Sequence, residues 1–92
     1  MTDESYEFCF TLDEMRITCD ALKMLSSSHM NLAVSYGKLA DSDTIPPDGR
    51  AEMRRRSDEE CKVVDACDNL VRIIGQRMRR IMAAKEQGEA NT

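Results

Sequence analysis

Arg72 and Arg79 stand seven residues apart, which on an α-helix places them within about 20° of one another. Two guanidinium groups on one line can converge on a phosphate or a carboxylate, each presenting a planar fork of donors. Arg77 falls on the opposite flank of the same helix and Arg80 on its back, so these arginines do not form one nucleic-acid-binding stripe. Asp68 can pair with Arg72 at i, i+4, whereas Arg77, Arg79 and Arg80 have no carboxylate at helical spacing. The plain account of such cations is that they complement a helix dipole and solvate a surface. The sharper account makes Arg72 and Arg79 the grip of an anionic ligand or of an acidic patch on a partner, with Tyr36 or an aromatic from the N-terminus beside them.

His29, the only histidine, sits at the centre of an apolar stripe rather than on its rim. It reads either as a ligand-contacting, pH-sensing imidazole or as a core histidine bonded to a hydroxyl or carboxylate, as buried polar groups normally are. If the chain folds back symmetrically about residues 43–44, His29 comes level with Ser57, Asp58 and Glu60, and Cys19 with Cys67. Of the four cysteines, Cys61 and Cys67 are six apart and do not converge as metal ligands in a CxxC pair do. No metal site is expected. Ser26-Ser27-Ser28-His29 offers a nucleophile next to a base, yet helix neighbours point to different faces. No nucleophile elbow, glycine-rich phosphate loop or HExxH motif is present. The expectation is therefore a protein without catalytic residues or cofactor.

Charge narrows the classes further. The net charge is −4, but residues 1–20 carry six acids against Arg16 alone, and residues 72–85 carry five cations and no carboxylate. An acidic chain argues against duplex DNA as partner, because that affinity rests on neutralising phosphates, while leaving room for a local anion site. The run Arg54-Arg55-Arg56 reads as a solvated face. The acidic start MTDESYEF lacks the apolar core of a signal peptide, and no apolar run approaches the ~18 residues of a membrane span. A soluble cytoplasmic protein with reduced thiols is the expectation.

Two long helices must position these residues. Thr11-Leu12-Asp13-Glu14 is a capping box, flanked by Phe10 and Met15 as a hydrophobic staple. It opens a helix predicted over about 12–40, a rod of ~43 Å, with the stripe Met15, Leu22, Leu25, His29, Leu32, Tyr36 and Leu39. Residues 41–46 form a loop of turn-favouring types, and Pro46-Pro47 can stop one helix and pre-set the next. The second helix is predicted over about 47–85 with the face Val64, Cys67, Val71, Ile74, Met78 and Ile81, widened by Val63, Leu70 and Met82. A second capping box, Ser57-Asp58-Glu59-Glu60, marks a possible kink or restart. Before the hairpin, Tyr6, Phe8 and Phe10 alternate with Glu7 and Cys9 in the period of two that suits an extended arm over residues 1–10. Residues 87–92 are polar and predicted to be disordered.

The fold expected is all-α: an antiparallel two-helix hairpin over residues 11–86 with a short extended N-terminal arm. A chain of 92 residues buries only ~60–65% of its unfolded surface. Ile17, Met24 and Ile73 fall outside the stripes that one partner helix can cover, so two hairpins are expected to join as a dimeric four-helix bundle. The function expected is non-enzymatic binding of another protein by a homo-oligomer, as in the accessory and inhibitor proteins that phages and plasmids direct at host factors. The alternatives are sequestration of an anionic small molecule such as a nucleotide signal at subunit interfaces, and a nucleic-acid-associated regulatory role. The residues expected to contact ligand or partner are Arg72, Arg79, Tyr36, His29, Tyr6, Phe8 and Phe10.

Overall fold

The computed structural model describes residues 9–90, with side chains as far as Gly88. Its two helices, α1 (Leu12–Ala40) and α2 (Pro47–Ala90), pack against each other, and there is no strand among the described residues. Most of the expected arm, including Tyr6 and Phe8, lies outside the described residues; Cys9 and Phe10 precede α1 without regular structure.

Helix α1 begins where its capping box demands. Thr11 Oγ1 accepts the Glu14 backbone N–H at 3.1 Å, and the Glu14 carboxylate accepts the Thr11 N–H at 2.9 Å. Two orphan donors of the first turn are thereby satisfied. The Thr11 N–H, favouring the charged form, also holds the Glu14 carboxyl below its usual range. At the other end the Asp41 N–H donates to the carbonyls of Gly37 and Lys38, each at 3.2 Å, and Ser42 N–H to Leu39 at 3.2 Å. Pro47 occupies the first position of α2, where its missing N–H costs nothing, and the first backbone bond runs from Arg50 N–H to the Pro46 carbonyl at 2.9 Å.

Helix α2 is uninterrupted for 44 residues, through Ser57. Ser57 does not act as a cap; its hydroxyl turns across the hairpin and donates to the Ala33 carbonyl at 2.9 Å. The helix also runs past the predicted end near residue 85. Residues 87–90, predicted to be disordered, are helical. Ala83, Ala84, Lys85, Glu86 and Gln87 are all strong helix formers, and none of residues 83–90 is a proline.

The seam between the helices differs in one respect from the predicted stripe. Met15, Cys19, Ala33 and Ala40 of α1 and Val64 and Cys67 of α2 are the buried apolar residues, whereas Leu25, Leu32 and Leu39 remain 43–44% exposed. Small side chains let the two backbones approach, as the Ser57–Ala33 bond requires, and the leucines are displaced to one flank. The result is a plank of 69 × 33 × 15 Å, one helix thick. A single layer cannot enclose a core, and none of the described large side chains is fully buried.

Gly49, in the first turn of α2, is fixed by packing. A Cβ there would stand 2.8 Å from the Ile45 Cγ2 methyl, part of a β-branched side chain with little freedom to move. Gly49→Ala gains about 1 kcal/mol of helix propensity but forces an overpacking cost of roughly 2 kcal/mol. The expected outcome is a net loss of about 1 kcal/mol, read as a Tm some 5 °C lower by circular dichroism; a rise in Tm would show that the Ile45 contact yields freely.

Candidate functional site

The hairpin brings the two helices into a register set by polar contacts. Ser26 Oγ donates to Asp68 Oδ1 at 2.9 Å, the His29 Nδ1 edge meets the Glu60 carboxylate, and the Arg56 guanidinium lies 5.9 Å above the Tyr36 ring. His29–Glu60 centres between residues 44 and 45, close to the expected 43–44, whereas Ser57–Ala33, Tyr36–Arg56 and Ser26–Asp68 centre on 45, 46 and 47. His29 therefore keeps Glu60 as its neighbour, while Cys19 lies along Val71, Arg72 and Gly75, about a turn beyond Cys67. All four cysteines are free thiols, and Cys19 and Cys67 are buried.

Each broad face of the plank can be followed from these contacts. On one, Tyr36 shares the flank of α1 that carries Leu25, Leu32 and Leu39, while Arg56, Val63 and Leu70 continue at seven-residue steps along α2. Leu25, Leu32, Leu39, Leu70 and Ile73 are all 43–46% exposed there. Ala21, Ser28 and Ser35 fall between the leucines at alternating steps of three and four, and Val63, Ala66, Leu70 and Ile73 repeat that spacing. Both rows have the heptad form of a seam awaiting another helix.

The other broad face is cationic. Arg16 and Lys23 of α1 and Arg72 and Arg79 of α2 line a groove of about 340 Å³ together with Cys19, Asp20, Val71, Gly75 and Met78. Asp20 is the one carboxylate among these lining residues. Arg72 is oriented by Nη2 donating to Asn69 Oδ1 at 2.6 Å, and not by the Asp68 expected from spacing, which is engaged by Ser26. Arg79 folds back over its own helix, so that its Nη1 is 3.6 Å from where a Cβ on Gly75 would stand. Arg16 is held by Asp13 at 3.2 Å in an exposed pair of small energetic weight. Lys23, Arg72 and Arg79 have no ion pair among the described residues.

The structure thus brings Arg72 and Arg79 together and separates them from Tyr36 and His29, which do not line the groove. Tyr36 is covered by Arg56 and His29 is held by Glu60. Phe10 is half-exposed at the start of α1. Arg16 and Lys23 escaped notice in the sequence, although they repeat on α1 the seven-residue spacing that marked Arg72 and Arg79 on α2. Among the described residues no three His, Cys, Asp or Glu side chains converge as a metal site, and no helix is long and apolar enough to cross a membrane.

At the loop end, Glu52 accepts bonds from both Arg55 and Arg56, and Arg55 also pairs with Glu59. The Arg55 bonds, reinforced by Arg56, pull the Glu52 carboxyl down from 4.5 to about 2. Comparison with protein-family models, with curated proteins and with solved structures yields no match to this chain.

Two measurements check this geometry. The His29 and Glu60 side chains are 26% and 22% exposed, so solvent screens them in part, and a double-mutant cycle with His29→Ala and Glu60→Ala should return a coupling of about 1 kcal/mol. A coupling near zero would mean that the imidazole and carboxylate do not hold each other. For Glu52, whose folded pKa is depressed, the stabilising contribution is present above about 4.5 and is lost as pH falls toward about 2. Carbon-detected titration of its carboxyl should give a midpoint near 2, moving toward 4.5 in Arg55→Ala.

Proposed function

We propose that this chain is a non-enzymatic helical binding protein that works as a homo-oligomer and acts on another protein. The observation that carries this reading is the apolar face of the plank. Leu25, Leu32, Leu39, Leu70 and Ile73 lie half-exposed on one face along two heptad rows, a grouping of apolar side chains of the kind that marks an interaction surface. Laying one such face on its copy makes a second layer. A four-helix bundle packed at the shallow angle of heptad seams is then formed, with a core that the single hairpin lacks.

Self-pairing leaves another apolar pair uncovered. Ile17 and Met24 lie seven residues apart on the outer side of α1 and are 67% and 73% exposed. They offer a protein partner an apolar hold at the edge of the bundle.

Light scattering at micromolar concentration is expected to return twice the chain mass of 10.4 kDa. Leu32→Glu places an unpaired carboxylate in the seam at a cost of roughly 3 kcal/mol, which weakens self-association about a hundredfold and leaves monomers. The exposed control Met24→Glu should leave the dimer intact. A wild-type monomer, or a Leu32→Glu protein that still pairs, would remove the bundle from this reading.

A further inference from the structure

We propose that the groove lined by Arg16, Lys23, Arg72 and Arg79 is a binding site for a phosphate-bearing small molecule of nucleotide size. It lies on the broad face opposite the apolar one, so the site stands whether or not two hairpins pair.

The charge arrangement points to the ligand. Four cations surround about 340 Å³ against one lining carboxylate, Asp20, in a chain whose net charge is −4. Such local concentration opposes the overall balance and costs self-repulsion that an anion relieves. Lys23, Arg72 and Arg79 have no ion pair among the described residues, and Arg72 is pre-set by its bond to Asn69. A guanidinium already oriented loses less entropy on closing its fork onto a phosphoryl oxygen.

Gly75 supplies the space. It stands between Arg72 and Arg79 with no side chain, and Arg79 Nη1 bends back over it. The Cα atoms of the two arginines are ~10.5 Å apart along the helix, and the returning Arg79 side chain shortens that span so that both forks can reach one phosphate chain. Lys23 and Arg16 line the other wall from α1, Arg16 in its exposed pair with Asp13. Below them Cys19, Val71 and Met78 form an apolar floor, suited to the uncharged part of a nucleotide. The volume falls within the roughly 300–1,000 Å³ usual for small-molecule sites. A nucleic-acid strand is a poorer fit, because the cations span only two helical turns and the remaining surface repels a long polyanion.

The test is calorimetric titration of the full-length protein with ATP, with inorganic tripolyphosphate and with AMP, at about 0.15 M salt where surface charge is screened. Binding of ATP or tripolyphosphate should weaken at least tenfold in Arg72→Ala and in Arg79→Ala. It should stay within twofold of wild type in Arg77→Ala and Arg80→Ala, which remove the same charge away from the groove. Gly75→Leu should abolish binding while helicity by circular dichroism stays level or rises, because leucine fills the floor and is the better helix former. ATP binding more tightly than tripolyphosphate assigns the apolar floor to a nucleoside; equal binding assigns the site to free polyphosphate. No heat with any of the three, an equal loss in Arg77→Ala, or binding of an oligoglutamate peptide in place of the phosphates would overturn the proposal.

Discussion

Everything in this molecule follows from the close contact of two helices across a seam of small side chains. Ala33, Ala40 and Cys19 of α1 have little surface to lose, yet they are buried, as are Met15 of α1 and Val64 and Cys67 of α2. Dispersion and exclusion of water act on the whole area in contact, and a close approach of backbones enlarges that area. It also lets a hydroxyl reach a main-chain carbonyl, as Ser57 does at Ala33. The bulkier leucines cannot share so narrow a seam. They are expelled to one flank at heptad spacing, and the apolar face of the plank is the outcome.

The polar contacts along the seam act more on register than on stability. Ser26–Asp68, His29–Glu60 and Ser57–Ala33 are clustered in the middle of the overlap, on residues 26–33 of α1 and 57–68 of α2. Heptad-like seams tolerate a slip of one turn with little loss of apolar contact, because the pattern repeats. A slip would strand His29 and Glu60, both three-quarters covered, without partners, and a half-satisfied polar group is costlier than an apolar one. Register in turn decides which cations face one another. Arg16 and Lys23 stand opposite Arg72 and Arg79 only at this alignment, so the groove depends on contacts that take no part in it.

The helices and the turn between them were legible because their signals are local: a complete capping box at Thr11, a cluster of turn residues, and Pro47 at a first helical position. The seam was less so. Periodicity identified the stripe of α1 but could not say which edge of a wide stripe is buried, since Leu25 and Ser26 lie about 100° apart on opposite edges of it and hydrophobicity favours the former. Backbone proximity, a tertiary effect, favoured the latter. The second capping box at Ser57 was a true local pattern overruled by a long-range bond. For the site, pairing Arg72 with Arg79 needed only one helix, whereas joining them to Arg16 and Lys23 needed the register, which one sequence fixes only to within a turn.

The opposed characters of the two broad faces bear on each other. A bundle built on the leucine face puts its apolar surface inside and turns both cationic grooves outward, away from the new interface. Arg77, which intrudes on the apolar row of α2 one step beyond Ile73, then lies at the edge of the interface, where its long stem can cover apolar surface while its charge stays wet. An acidic body carrying two outward cationic grooves discriminates by ligand size. At physiological salt a field decays over ~8 Å, so a small anion inside the groove experiences mainly the local arginines. A long polyanion also meets the acidic remainder of the surface. In the proposed bundle the net charge of −4 would thus disfavour extended nucleic acid without weakening the proposed grip on a compact phosphate.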